Sequence, residues 1–382
     1  MSSYHSSELA QLPQPGADQI KHSSQLIENI VALIEQSSGI ISFADYMQQL
    51  LYAPGFGYYS GGMQKFGEAG DFVTAPEVSS LFGRSLGRHC QRLIEQGFEA
   101  NILEFGAGSG QLCLQITSAL EPLDHYYILE LSADLRQRQL QLLSEKLEQH
   151  LFDKIIWLDY LPENFNGILV ANEVLDAMPV NVVVKNPDWI ELGVGFENRQ
   201  FVWKSLKGKT LAATEIETIE QQVFKKTGSL LDQGYCTEVN LNYGPWFNSL
   251  FSCCNKVSMI LIDYGYERQE YYHSQRRTGT LVCFYRHRSH PDPFVYPGLQ
   301  DVTAFVDFDA VADAAEKAGF EVTDFESQAS FLLKNGLLKD AEKMQVDSSP
   351  AEVISISQQI KTLTLPGEMG EKFKVLQLKK LK

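Results

Sequence analysis

The stretch Leu103-Glu-Phe-Gly-Ala-Gly-Ser-Gly-Gln111 joins an apolar run to a helical pattern carrying Leu112, Ile116, Ala119 and Leu120. Its glycines, Gly106, Gly108 and Gly110, allow a ligand close to the backbone, and the first N–H groups of the helix are outward donors. The turn therefore predicts a strand-to-helix crossing that holds an acceptor-rich group. A phosphate loop needs Gly-Lys-Ser/Thr, and a dinucleotide fingerprint is spaced GxGxxG, whereas this stretch reads GxGxG. Both phosphate readings weaken, and a plain tight turn is the remaining alternative.

Outward from this loop, short continuous apolar runs recur at Ile102 to Phe105, Tyr127 to Leu131, Ile155 to Leu158, Ile168 to Ala171 and Met259 to Ile262, separated by amphipathic helical patterns. Runs of that kind predict an α/β fold, a buried, mostly parallel sheet with helices on both faces. Between Val182 and Asn240 the rhythm changes to strands around Trp189 to Phe196 and Gln200 to Trp203 and a helix near Glu215 to Phe224, which reads as an insertion. The chain then predicts a helix at Phe308 to Ala318, a strand at Glu321 to Phe325, a helix at Ala329 to Leu338, a polar stretch through Gly370 and a strand near Phe373 to Leu378. Upstream, helices are expected over Gln25 to Glu35 and from the cap Ser42 to Leu51. The Ser-, Gln- and Pro-rich first 24 residues are expected to be a disordered tail.

Composition bounds the function. A net charge of −16, from 48 acidic and 32 basic residues, argues against a phosphate-tracking surface, so no nucleic-acid partner is expected. The six cysteines form no CxxC pair and no dense framework, and read as reduced thiols. No apolar run is long enough for a membrane span. The tail has no signal-peptide core and no arginine, the first being Arg84, so a cytoplasmic location of bacterial type is expected. His287 and His290 have HxxH spacing but no third ligand nearby, and no metal site is assigned.

Glu130, where the second strand should end, follows the glycines by about 20 residues and is placed to accept from both hydroxyls of a ribose. Asp159, after the third run, could accept from an adenine amino group or simply cap a loop. Glu104, Glu130 and Glu173 make this crevice negative, which favours a cationic cofactor over a diphosphate. S-adenosyl-L-methionine has the sulfonium, ribose, adenine and carboxylate that fit. Asn172-Glu-Val-Leu-Asp-Ala-Met-Pro-Val180 then sets Glu173 and Asp176 behind the fourth run. Two carboxylates there could hold a positive or proton-carrying group. Asn172 could hold Glu173 or bind the amino group of the methionine moiety. The alternative is that Asp176 caps a helix and Glu173 is a solvated loop residue.

LEFGAGSG, YYILELS, NEVLDAMPV, GDFVTAPE, Ile262-Asp-Tyr-Gly265 and Tyr271-Tyr-His-Ser-Gln-Arg-Arg-Thr-Gly-Thr280 together resemble the MidA family of S-adenosylmethionine-dependent methyltransferases, in the same order from about Ala53 to Leu338. That family includes a mitochondrial complex I assembly factor that methylates an arginine. The resemblance implies a class I, Rossmann-like methyltransferase fold with a seven-stranded sheet. It also implies a lid over the cofactor from Gly70, Asp71, Phe72 and Thr74, beside Ala107 and Leu131, and an arginine-containing protein substrate such as a complex I subunit. The expected organisation is a tail over 1–24, helices and lid over 25–98, and a methyltransferase domain over 99–382 with the inserted α+β segment at about 182–240. The oligomeric state is left open, a homodimer included. One departure is Phe305, where bacterial relatives often have histidine, so no histidine role is assigned there.

Overall fold

The structure, a computed structural model, describes residues 12–61, 74–346 and 348–381. Gly70, Asp71 and Phe72 of the expected lid lie outside the described residues. The central sheet has seven main strands: β1 (Asn101–Phe105), β2 (His125–Leu129), β3 (Ile155–Leu158), β4 (Phe165–Asn172), β5 (Cys254–Tyr266), β6 (Glu321–Ser327) and β7 (Phe373–Lys380). They lie in the order β6-β7-β5-β4-β1-β2-β3, with the short strand Val306–Asp307 pairing on β5. The strands β3, β2, β1, β4 and β5 run parallel, and β7 is antiparallel to both of its neighbours. This is the mostly parallel sheet with helices on both faces that the apolar runs predicted.

Period-two alternation explains why the runs are apolar throughout. Ile102, Ile168, Val170, Ile260 and Ile262 face one layer of helices, including Ser80–Glu95 and Gln111–Thr117. Leu103, Phe105, Leu169, Ala171, Met259 and Leu261 face the other, which includes Tyr243–Cys253 and Phe308–Ala318. A strand covered on both sides has no polar face to offer. The chain leaves β1 toward β2 and β3 but leaves β4 toward β5, so strand order reverses between β1 and β4. A crevice at the carboxyl ends of those strands is where such sheets bind ligands.

A second, antiparallel sheet joins Asn181–Asn186, Asp188–Glu197, Gln200–Ser205 and Cys236–Val239, with Leu211–Thr227 against it. The N-terminal strand Ile41–Ser42 adds to its edge, pairing Ile41 with Val194, and the helices Ala17–Gln36 and Phe43–Tyr52 share its core through Leu26, Ile30, Tyr46 and Leu50.

Three expectations are corrected. Residues 17–24, expected in a disordered tail, are the first turns of the helix Ala17–Gln36. The Gln19 side chain accepts from the Gly16 amide at 3.0 Å, and Ser23 is buried, so a polar composition concealed a capped helix. The polar stretch through Gly370 contains the helix Pro350–Thr364, started by a capping box in which Ser349 and Glu352 each accept from the other's amide. Likewise the single helix expected to end at Leu338 is two, Gln328–Lys334 and Leu337–Gln345, broken at Gly336 with φ 88°. No helix among the described residues is long and apolar enough to cross a membrane.

At Gly167, on β4, φ is 143° and an added Cβ would lie 2.3 Å from the Asn101 carbonyl oxygen of β1. Gly167→Ala should therefore cost about 2–3 kcal/mol of stability, read as a lowered urea midpoint with an unchanged slope.

Candidate functional site

The glycine loop leaves β1 in left-handed backbone, with φ 60° at Gly106 and 55° at Gly108. The Gly106 amide donates to the Leu129 carbonyl at 3.0 Å, which ties the loop to the end of β2. One residue beyond β2, Glu130 accepts from the Ser132 amide at 2.9 Å and from Gln139 Nε2 at 3.1 Å. Gln139 is fully buried; the same Nε2 donates to the Gly108 carbonyl at 2.9 Å, and its Oε1 accepts from Trp157 Nε1 at 3.1 Å. One amide thus registers the loop, the acidic residue and β3 against one another.

Glu104 points from β1 into the same interior and accepts from the Tyr126 hydroxyl at 2.7 Å. Burial pushes its carboxyl up to about 8, the Tyr126 hydrogen bond opposing and Glu130 adding to the rise.

The turn after β4 is held from below by Asp263 on β5. Its Oδ2 accepts from the amides of Val174, Leu175 and Asp176 at 3.1, 2.9 and 3.2 Å, and its Oδ1 from the Tyr264 amide at 2.9 Å. The Glu173 amide donates to the Ile262 carbonyl at 2.9 Å, and Glu173 sits at φ 53°, a conformation that costs a residue with a side chain about 1–3 kcal/mol. The carboxylate-to-amide bonds offset that cost and aim the side chain.

Asn172 Nδ2 donates to Glu173 Oε1 at 3.2 Å, while Asn172 Oδ1 is buried with no partner among the described residues. Asp176 is buried; its Oδ2 accepts from the Tyr264 hydroxyl at 2.7 Å, and its Oδ1 is buried and unpartnered. Burial, then the neighbouring Asp176, pushes Glu173 up to about 8. Burial pushes Asp176 up to about 6, the Tyr264 hydrogen bond opposing.

A cavity of about 870 Å³ connects these pieces. Its wall brings together Glu104, Gly106, Ala107, Gly108, Glu130, Leu131, Asn172, Glu173, Asp176 and Thr74 of the predicted residues. Two predicted residues do not line it. Gly110 turns away at φ 85°, where an added Cβ would meet Gln139 at 3.3 Å, so it serves the turn rather than the wall. Asp159 is drawn off to Arg136, 2.6 Å away, with 69% of its side chain exposed, and Leu161 lines the cavity on that side.

The wall also holds residues that no local pattern marked: Tyr52, Tyr59, Tyr264, Asp301 and Phe305. Tyr52 and Tyr59 stack at 5.6 Å between centroids, Tyr52 donates to the Ala177 carbonyl at 3.0 Å, and Tyr59 donates to Asp301. Phe305 packs edge-on against Tyr264 at 5.0 Å. Of these, Tyr264 lay within a motif noted in the sequence, and Phe305 was noted there as a departure from the resembling family.

Charge in this cavity is lopsided. Glu104, Glu130, Glu173, Asp176, Asp301 and Glu368 line it against a single cation among the described lining residues, Lys372. Unpartnered buried acceptors at Asn172 and Asp176 select donors, and the acidic wall selects positive charge.

A model of the S-adenosyl-L-methionine-dependent methyltransferase family matches residues 85–326. The mitochondrial protein arginine methyltransferase NDUFAF7 homolog of Drosophila melanogaster is 26% identical, across 89% of this chain and 82% of its own. The mouse mitochondrial protein arginine methyltransferase NDUFAF7 is 27% identical, across 88% of this chain and 80% of its own. A COG1565 superfamily protein from Burkholderia thailandensis, solved with S-adenosyl-homocysteine bound, superposes with a TM-score of 0.88 at 39% identity, covering 96% of this chain and 95% of that one. A cationic, ribose-bearing cofactor fits the residues present here on their own chemistry, the orphaned Asn172 oxygen and the predominance of acidic residues in the wall.

The raised Glu173 carboxyl makes stability fall with pH. A carboxyl raised in the folded state contributes stability that is present below its unfolded value and lost as pH rises through about 8. Glu173→Gln should therefore raise the melting temperature of the ligand-free protein at pH 8.5, by on the order of 1–2 kcal/mol of stability, and leave it nearly unchanged at pH 4.5. Thermal scans of both proteins at the two pH values check this.

Proposed function

The chain belongs to the S-adenosyl-L-methionine-dependent methyltransferase family, and from that premise we propose that its acceptor is the guanidinium group of an arginine in a protein. The enzyme is a methyltransferase with S-adenosyl-L-methionine as its cofactor; the arginine acceptor is our reading. The observation that carries it is the Glu173–Asp176 pair, a half-buried and a buried carboxyl on one turn that both line the cavity, with one Asp176 oxygen unpartnered among the described residues. The printed names of relatives at 26–27% identity support it. The motif resemblance extends it to a respiratory complex I subunit as target.

When bound, the cofactor supplies an electrophilic methyl carbon on a sulfonium. Glu130 takes the ribose hydroxyls and the Gly106–Gly108 backbone lies against the methionine moiety. Asn172 serves both alternatives at once, Nδ2 holding Glu173 while Oδ1 accepts from the methionine amino group. Glu173 and Asp176 accept the guanidinium N–H groups and hold its plane so that one nitrogen faces the methyl carbon in line with the sulfur. As the N–C bond forms, the C–S bond breaks and its electron pair goes to sulfur. The nitrogen then gives up a proton, and Glu173, whose carboxyl stands near 8 before the cation arrives, is the acceptor. Entry of a guanidinium requires both carboxylates ionised, so acceptor binding releases protons and strengthens as pH rises from 6 to 8.

Two substitutions separate the roles. Glu130→Ala should weaken S-adenosyl-L-methionine binding about 10-fold or more in a calorimetric titration. Glu173→Gln should keep that binding within about twofold and lower methyl transfer to protein by about 100-fold or more. With labelled cofactor and a cell extract, label should appear on arginine in protein. Label recovered only in a low-molecular-weight product would replace the arginine reading with a small-molecule one, and unimpaired transfer by Glu173→Gln would remove the carboxylate pair from the mechanism.

A further inference from the structure

We propose that Tyr264 is a positioning residue of the transfer reaction, its hydroxyl holding Asp176 so that the second carboxylate oxygen stays turned toward the acceptor. The inference rests on the reading of Glu173 and Asp176 as the acceptor's cradle and adds a residue that this reading does not contain.

Geometry carries it. The Tyr264 hydroxyl lies 2.7 Å from Asp176 Oδ2 and 2.7 Å from Thr303 Oγ1. A phenol has one proton, and the carboxylate is the stronger acceptor, so the proton goes to Asp176. Only Oδ2 is engaged. Oδ1 is left buried without a partner among the described residues, and Asp176 lines the cavity.

The ring cannot swing away. It packs edge-on against Phe305 at 5.0 Å and against Phe373 at 5.5 Å, near the carboxyl end of strand β5, where the neighbouring Asp263 holds the Asp176 amide. Consecutive residues of one strand thus secure the two ends of Asp176, its backbone and its carboxyl.

Asp176 needs such a donor. It shares the interior with Glu173 on its own turn, Asp263 on β5, Tyr52, Tyr59, Tyr243 and Asp301, none of which carries positive charge. Burial and this company favour the neutral acid, and the Tyr264 hydrogen bond is the largest influence in the opposite direction.

The test compares wild type with Tyr264→Phe, which deletes the hydroxyl and keeps the ring. In the ligand-free protein the sign follows from linkage. Without its donor the Asp176 carboxyl rises further, so more stability is lost as pH increases. The melting-temperature deficit of Tyr264→Phe should therefore widen between pH 5 and pH 8, and the widening should vanish when both proteins carry Asp176→Asn. A deficit independent of pH is what lost packing gives, and it overturns the proposal whatever the acceptor is.

The second measurement titrates the S-adenosyl-homocysteine complex with methylguanidinium chloride across the same range. Wild type should bind one equivalent, and Tyr264→Phe should bind about 10-fold more weakly at pH 7, with its pH midpoint roughly one unit higher and S-adenosyl-homocysteine affinity unchanged. Equal affinity and midpoint in the two proteins would overturn the proposal. A wild-type complex that ignores methylguanidinium while Tyr264→Phe still shows the pH-dependent deficit would overturn the arginine reading instead, leaving Tyr264 as the holder of Asp176.

Discussion

Asp263 is a fully buried carboxylate whose hydrogen-bond partners are backbone amides, three from the turn after β4 and one from its own successor. Burial and the nearness of Asp176 and Glu173 drive it toward neutrality, and the amides oppose that drive. The contact exists only because β5 pairs with β4 in a register that sets Ile262 beside Asn172. A slip by one residue would send Asp263 to the opposite face and leave the turn's amides without an acceptor. The geometry of the acidic pair is therefore a property of the sheet's register, and through it of the packing on both faces.

The same economy explains the charge of the cavity. Among the described residues, three acids of its wall accept from neutral donors: Glu104 from Tyr126, Glu130 from Gln139 and the Ser132 amide, Asp176 from Tyr264. Neutral donors order these carboxyl groups without adding an opposing charge. A salt-bridged lining would have had the same shape and no attraction left for a sulfonium or a guanidinium.

Much of this was legible in the sequence because the signals are local. Five apolar runs located the five parallel strands, the GxGxG spacing located the loop at the strand reversal, and Glu130 followed by counting. What could not be read is what depends on neighbours in space. Asp263 and Tyr264 were visible only as part of a motif, since nothing in the chain says that β5 lies beside β4. Asp159 had a suitable position, but Arg136, one helix away in sequence, takes its carboxylate. The helix Pro350–Thr364 hid behind polar residues, although Ser349 and Glu352 spelled its cap. Tyr52 and Tyr59 reach the wall because the N-terminal helices share a core with the second sheet, a contact with no signature in either segment.

The placement of β7 has a bearing on biosynthesis. It lies between β5 and β6, both of which precede it in the chain, and its first residue, Phe373, packs on Tyr264. While the polypeptide is still emerging from the ribosome, β5 has β4 on one side and, along most of its other edge, an unsatisfied row of amides and carbonyls until residues 373–380 arrive. A nascent chain in that condition presents a long apolar strand edge, the kind of surface that invites pairing with other chains. The sheet closes late, with the insertion of an interior strand, so this edge of β5 stays open from the synthesis of β5 until residues 373–380 are free to pair.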